Sequence, residues 1–233
     1  MMERKKYQAV LMDIDGTLLD FNKAEVLGVR EVMKAYGVEP SAEKEEVYHR
    51  INQSLWKSFE RGEIPKQQIM DTRFSLFFGE LGVQADGIPA EKLYRDQLDQ
   101  GAFLLPGALE ICQYLSEKYP LYVVTNGVSA TQHKRLGLSG LKPYFKDIFV
   151  SEDAGSQKPQ KEFFEYCFSR MPGYMPGDMI IIGDSLTSDI KGGCAAGTDT
   201  CWYHPEGGEK SDLPEGVRVD YEVKDLMDLK NIL

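Results

Sequence analysis

The stretch Ala9-Val10-Leu11-Met12-Asp13-Ile14-Asp15-Gly16-Thr17-Leu18-Leu19-Asp20 decides how the rest of the chain is read. Its first four residues are apolar without interruption, the pattern of a short strand covered on both faces, and the run stops at two carboxylates one residue apart. Buried strands of open parallel sheets end where ligands bind. Two like charges held that close need neutralising, and a hard divalent cation such as Mg²⁺, which prefers oxygen ligands, does so with the fewest groups. Gly16 permits a positive φ and lets backbone N–H groups approach an anion, which suits a phosphate better than an apolar ligand. A plainer reading, an acidic turn that merely ends a strand, is weighed against what the remaining chain supplies.

Downstream, the pattern of an apolar run ending in small polar residues recurs. Leu121-Tyr122-Val123-Val124 leads into Thr125-Asn126-Gly127, and Ile180-Ile181-Ile182 leads into Gly183-Asp184-Ser185-Leu186-Thr187-Ser188-Asp189. Strands predicted over Leu121–Thr125, Asp147–Ser151, Met179–Ile182 and Asp199–Tyr203 alternate with helices over Gly107–Tyr119, Ala130–Leu138, Lys161–Met171 and Ser188–Ala196. That alternation predicts an α/β fold, a Rossmann-like parallel sheet flanked by helices. A charged, Gly- and Pro-containing loop over Gly207–Gly216, a last strand at Val217–Tyr221 and a helix near Val223–Leu229 complete it.

One strand–helix–strand unit needs only ~30 residues, far fewer than separate Asp13 from Thr125, so something is inserted there. The insert reads as helical. Asn22 and Glu25 have capping-box spacing ahead of Val26, Val29, Met33 and Tyr36; a second helix carries Val47, Ile51, Leu55, Trp56 and Phe59. A third opens at Pro65 and carries Ile69, Met70, Phe74, Phe77, Phe78 and Leu81, and a weaker fourth runs from about Ala90 to Gln100. The expected organisation is an α/β core over 1–19 and 101–233 with a helical domain over 20–100.

Composition narrows the partners. With 233 residues, 42% of them hydrophobic, the chain can bury a full core, and its net charge of −10 argues against a nucleic-acid polymer or an anionic membrane, both of which call for a basic surface. Any phosphate site must be local. Cys112, Cys167, Cys194 and Cys201 form no C-x-x-C pair and lie in apolar contexts, the usage of buried thiols in a reducing compartment. The basic run Met1–Lys6 is followed by too short an apolar segment for a signal peptide or a membrane span, so the expected location is cytoplasmic.

If the strands are parallel, their polar ends share one edge of the sheet and converge. Thr125 and Asn126 bring a hydroxyl and an amide, and Gly127 a close-approaching N–H, at the mouth of a helix whose N-terminus favours anions. Lys158, between Gln157 and Pro159, is a point charge suited to holding a carboxylate and a phosphoryl oxygen together. Asp184 and Asp189 add two acids. Helix capping or a solvated lysine would explain any one cluster, but no single such reading covers all of them.

In this combination the chain resembles the haloacid dehalogenase-like superfamily of phosphohydrolases, through Asp13–Thr17, Thr125–Asn126, Lys158 and Asp184–Asp189. The resemblance covers nearly the whole chain and implies that the helical insert is a C1-type cap, similar to that of members acting on small phosphorylated metabolites, so a small phosphorylated metabolite is the expected partner. It further implies that Asp13 is a nucleophile forming an aspartyl-phosphate and Asp15 the general acid and base. Mg²⁺ would be held by Asp13, the backbone carbonyl of Asp15 and Asp184, with Asp189 and Ser185 supporting those ligands from behind. Thr125, Asn126, Gly127 and Lys158 would bind the phosphoryl oxygens. The stretches Ile51-Asn52, Leu55-Trp56, Gly62-Glu63-Ile64, Arg73-Phe74, Gly192-Gly193 and Thr200-Cys201-Trp202 are similar to bacterial pyrimidine 5′-nucleotidases, which points to pyrimidine nucleoside monophosphates.

Trp56 and Arg73 are then candidates for substrate contact, with helix-core packing for the aromatic and a solvated face for the arginine as the alternatives. A dehalogenase has no alkoxide to protonate and so no use for Asp15. Phosphatases of phosphoglycolate or sugar phosphates, and a sugar phosphomutase, stay open; a non-enzymatic binding module would have lost at least one of the clusters. No pairing is legible for His49, His133 or His204.

Overall fold

A computed structural model describes residues 7–207 and 213–233, so Met1–Lys6 and part of the expected loop at 207–216 lie outside the described residues. The chain divides into two compact units, Met1–Asp20 with Phe103–Leu233, and Phe21–Ala102.

The first strand, β1, is Ala9–Met12. In the second unit follow four helices, α1 (Phe21–Ala35), α2 (Ala42–Glu60), α3 (Lys66–Glu80) and α4 (Gly87–Leu98). The first unit resumes with α5 (Ala108–Ser116), β2 (Leu121–Thr125), α6 (Ser129–Leu138), β3 (Phe145–Val150), the single turn α7 (Ser151–Ala154) and α8 (Lys161–Ser169). It ends with β4 (Met179–Gly183), a wide helical turn at Leu186–Ile190, α9 (Lys191–Ala196), β5 (Asp199–Tyr203), β6 (Tyr221–Val223) and a 3₁₀ segment, Leu226–Asn231.

All six strands are parallel, in the order β3-β2-β1-β4-β5-β6. The chain runs outward from β1 through β2 to β3 and then crosses back to place β4 beside β1, so the order reverses between these two central strands. Such a reversal opens a crevice at their carboxyl ends, where open α/β sheets bind ligands. The unbroken apolar runs are explained by the layers. Val10, Met12, Val123, Ile180 and Ile182 pack with Ile111, Cys112 and Leu115 of α5 on one face, while Ala9, Leu11, Val124 and Ile181 pack with Phe163, Phe164 and Cys167 of α8 on the other. Period-two alternation therefore carries no polar residues, because both faces are covered.

The helical unit has its own core, in which Tyr48, Phe74 and Tyr94 meet with ring centroids 5.0 to 5.4 Å apart. Its sequence reading needs two corrections. Helix α1 already begins at Phe21, so Asn22 lies inside it, and Glu25 is not a capping-box residue; its carboxylate is buried and accepts from His49 Nδ1 and Asn52 Nδ2, each at 2.6 Å. In α2 the buried stripe is Tyr48, Asn52 and Phe59, not Val47, Ile51 and Leu55, because a buried polar network draws Asn52 inward. The last strand begins at Tyr221 rather than Val217, since Asp220 is held by Thr200, its N–H donating to Thr200 Oγ1 at 3.2 Å, and the final helix is 3₁₀. Cys112, Cys167, Cys194 and Cys201 are all free thiols. Among the described residues no helix is long and apolar enough to cross a membrane.

Candidate active site

Asp13 follows β1 directly, and its N–H donates to Ile182 O of β4 at 2.9 Å. Asp184 follows β4. Carboxylate oxygens of Asp13, Asp184 and Asp189 all lie within 4.8 Å of one another, so the two strand ends bring together acids remote in sequence. Asp189 reaches this edge through the turn Leu186–Ile190, in which Ile190 N donates to Ser185 O, an i→i+5 bond. The predicted α-helix over Ser188–Ala196 is thus replaced at its start by a π-type turn, a feature often found at functional sites, and Ser185 caps that turn by accepting from Ser188 N at 3.2 Å.

Lys158 is the hub of the cluster. Its ammonium is buried and donates to Asp13 Oδ1 at 2.6 Å, Asp189 Oδ1 at 2.6 Å and Val124 O at 2.7 Å. An ammonium has three hydrogens, and three acceptors are in place. Lys158 therefore cannot also donate to a phosphoryl oxygen in this arrangement, contrary to the role expected of it. Burial disfavours its charge, but Asp13 and Asp189 more than offset that and hold it protonated well above the ordinary lysine value. Asp189 Oδ2 accepts from Ser185 N at 3.1 Å, so both of its oxygens serve the interior of the loop.

Asn126 and Gly127 are also placed differently from their expected roles. Asn126 Nδ2 donates to Lys158 O at 2.9 Å and its Oδ1 accepts from Lys158 N at 2.8 Å, so the amide pins the lysine loop. Gly127 N–H donates to Thr125 Oγ1 at 3.1 Å instead of lying open to an anion. The glycine is required by crowding, since a Cβ there would come within 2.3 Å of the Gln132 amide. The N-terminus of α6 already has its anions, with Ser129 N donating to Glu152 at 2.7 Å and Ser129 Oγ to Asp153 at 2.9 Å. Thr125 remains: it is buried at the end of β2 and keeps its hydroxyl in the cluster.

Asp15 is held by two residues that no sequence motif singled out. Gln132 Nε2 donates to Asp15 Oδ2 at 2.6 Å and Arg135 Nη1 to Asp15 Oδ1 at 2.5 Å. Both lie on α6, three residues apart and so on one face, and that spacing after Thr125-Asn126-Gly127 was the available signal.

Four carboxylates, Asp13, Asp15, Asp184 and Asp189, face two cations, Lys158 and Arg135. Burial pushes the Asp13 carboxyl up despite Lys158, and Asp189 and Asp184 push the same way. Asp184, open to solvent but hemmed in by protein, is pushed up to about 7, first by lost hydration and then by the Asp189 charge. Among described side chains only the Thr17 hydroxyl donates to it, at 3.4 Å. Two negative charges thus go uncompensated when all four acids ionise, and the donor set is all oxygen, so the residues fit a hard dication. Gly16, with φ of 83°, shapes the same place: a Cβ there would stand 2.4 Å from Asp184 Oδ2.

The cap candidates diverge. Arg73 is not a surface residue, being 2% exposed, bonded through Nε and Nη2 to both oxygens of Glu91 at 2.6 Å, and donating to Asn52 at 3.1 Å. It belongs to the interior of the helical unit, where a desolvated guanidinium is tolerable only with such a partner. Trp56 is half-buried and meets Phe59 edge-on at 5.7 Å.

A parallel sheet with carboxylates gathered at its switch point defines an α/β enzyme whose chemistry runs on acids and a cation. Residues 10–203 match the model of the haloacid dehalogenase-like hydrolase family, and the chain belongs to that family. It is 46% identical to the HAD-hydrolase YfnB of Bacillus subtilis over 98% of this chain and 96% of that protein. A crystal structure of YfnB bound to magnesium matches with a TM-score of 0.92, at 44% identity, over 98% of this chain and 99% of that one. The chain is also 39% identical to the pyrimidine 5′-nucleotidase PynA of Streptococcus pneumoniae over 97% of each, and 29% identical to the pyrimidine 5′-nucleotidase YjjG of Escherichia coli over 98% of each.

Proposed function

We propose that this chain is a magnesium-dependent phosphomonoester hydrolase that works through an aspartyl-phosphate on Asp13 and acts on pyrimidine nucleoside monophosphates. The observation that carries the reading is the Asp13 carboxylate, held by Lys158 at the end of the central strand and grouped with Asp184 and Asp189. Once ionised, a carboxylate needs positioning rather than deprotonation to attack phosphorus.

In the first half-reaction Asp13 attacks in line, the bond from phosphorus to the leaving oxygen breaks, and Asp15 gives that oxygen its proton. In the second, Asp15 takes a proton from water, whose oxygen attacks phosphorus and releases Asp13. Thr125 donates its hydroxyl hydrogen to the phosphoryl group. Lys158 acts through its field, holding Asp13 and Asp189 in place and opposing the loss of Asp13 charge that burial favours, since its hydrogens are already engaged. Asp13, Asp184 and the backbone carbonyl of Asp15 would hold magnesium, which when bound offsets negative charge on the phosphoryl oxygens.

The nucleotide preference rests on likeness to PynA and YjjG over nearly their full lengths. We assign substrate selection to the helical unit as a cap, with Trp56 as the residue to test first, since a half-exposed indole can stack on a base. The test is phosphate release, with magnesium, from pyrimidine and purine nucleoside monophosphates, sugar phosphates and phosphoglycolate. The pyrimidine nucleotides should give the highest kcat/KM. Faster release from phosphoglycolate or a sugar phosphate would replace the substrate, and no release from any monoester would end the hydrolase reading.

A further inference from the structure

Asp15 has two tasks in this reaction, and an acid that must first give and then take a proton has to stay in one place between them. Its side chain is about a quarter exposed, so nothing in burial alone would fix it. What fixes it is a set of paired donors and acceptors on α6. Gln132 Nε2 has two hydrogens, one given to Asp15 Oδ2 at 2.6 Å and the other to Thr125 Oγ1 at 2.9 Å. Gln132 Oε1 accepts from Arg135 Nη1 at 3.1 Å, and the other hydrogen of that nitrogen goes to Asp15 Oδ1 at 2.5 Å. The amide can be oriented only one way, because its neighbours are an acceptor carboxylate and a donor guanidinium.

The same amide sets the polarity of Thr125. A hydroxyl accepts through two lone pairs and donates one hydrogen, and Thr125 Oγ1 accepts from both Gly127 N and Gln132 Nε2. Both acceptor positions are thereby occupied, and the hydrogen is what Thr125 has to offer an anion. Gln132 and Arg135 are each only 1% exposed, so this network is built into the core and is not a surface contact that comes and goes.

Resting on the hydrolase reading above, we infer that Gln132 and Arg135 are positioning residues, which clamp the Asp15 carboxylate by one donor on each oxygen while Gln132 also turns the Thr125 hydroxyl into an obligate donor toward the phosphoryl group. The two residues should then separate in kinetics. Arg135 donates to Asp15 and to the Gln132 carbonyl, whereas Gln132 is the one that donates to both Asp15 and Thr125.

The experiment compares Arg135→Met, Arg135→Lys and Gln132→Leu with the native protein on an alkyl phosphate and on p-nitrophenyl phosphate, in steady state and in the first turnover. Nitrophenolate leaves without help from an acid, so losing the clamp should spare formation of the phosphoenzyme and slow its hydrolysis. Arg135→Met should therefore show a burst of about one nitrophenolate per enzyme, with steady-state kcat on the alkyl phosphate down about 10- to 100-fold and KM within about twofold. Arg135→Lys should recover part of the loss. Gln132→Leu should show the burst and, in addition, a several-fold weaker inhibition by inorganic phosphate.

A loss of folded protein would shrink the burst without changing its shape, and if Arg135→Met does not fold, Gln132→Leu decides. Unchanged kinetics in the variants, or an equal loss on both substrates without a burst, would overturn the clamp while leaving the hydrolase reading intact. A native protein that consumes neither substrate would overturn both.

Discussion

At the scale of single residues, the site works by making each polar hydrogen count. Lys158 gives all three of its hydrogens to Asp13, Asp189 and Val124, and this saturation explains how an ammonium stays charged at 1% exposure. Replacing Asp13 by Asn removes the nucleophile and keeps the shape, and Lys158 retains Asp189 as its counter-ion. We expect kcat of Asp13→Asn to fall at least about a thousandfold with a cooperative thermal transition preserved. Turnover near the native rate in a verified preparation would place the nucleophile elsewhere. Lys158→Met should do the opposite kind of damage, leaving two buried carboxylates without their cation, at a stability cost of about 3–5 kcal/mol measurable by urea titration.

Elements matter through where they stop. β1 and β4 end side by side, with Met12 level with Ile182, and that register sets Asp13 and Asp184 across a narrow gap. The turn after β1 is equally constrained, because Gly16 sits at a φ that side chains resist and directly under Asp184. Gly16→Ala should cost about 1–2 kcal/mol from backbone strain alone, and the displaced Asp184 should raise the magnesium concentration needed for half-maximal activity. A melting temperature and magnesium titration both equal to native would refute this. These strand ends were legible from unbroken apolar runs followed by small polar residues. The π-type turn at Leu186–Ile190 was not, since i→i+4 and i→i+5 bonding share the same residue types over so short a stretch. Nor was the spent N–H of Gly127, whose partner is set by a side-chain rotamer and not by the motif.

Across the whole molecule, the acidic cluster links metal to stability. Lost hydration and the Asp189 charge push the Asp184 carboxyl up to about 7 from an ordinary value of 3.8, so the folded state binds more protons than the unfolded one between those limits. Stability without metal should accordingly fall as pH rises from about 4 to 7. Magnesium takes the place of those protons, so the rise in melting temperature it produces should be larger at pH 8 than at pH 5. Equal rises at both would show that the acids do not titrate with the metal. The helical unit offers an independent check. Arg73→Met should destabilise the protein by about 3–5 kcal/mol by stranding Glu91, yet leave KM unchanged where the protein is folded. A raised KM with native stability would return Arg73 to the substrate.

The order of strands and helices, the helical insert and the acids at strand ends followed from the amino-acid sequence itself, because hydrophobic periodicity and chain breaks are local properties that survive without knowledge of distant partners. Which hydrogens those groups give, and to whom, depended on the folded chain. Lys158 as a saturated hub, Asn126 as a loop pin, Arg73 as an interior ion pair and the hold of Gln132 and Arg135 on Asp15 each join residues far apart in sequence. A hydrogen bond has a length and a direction that only the packed backbone supplies.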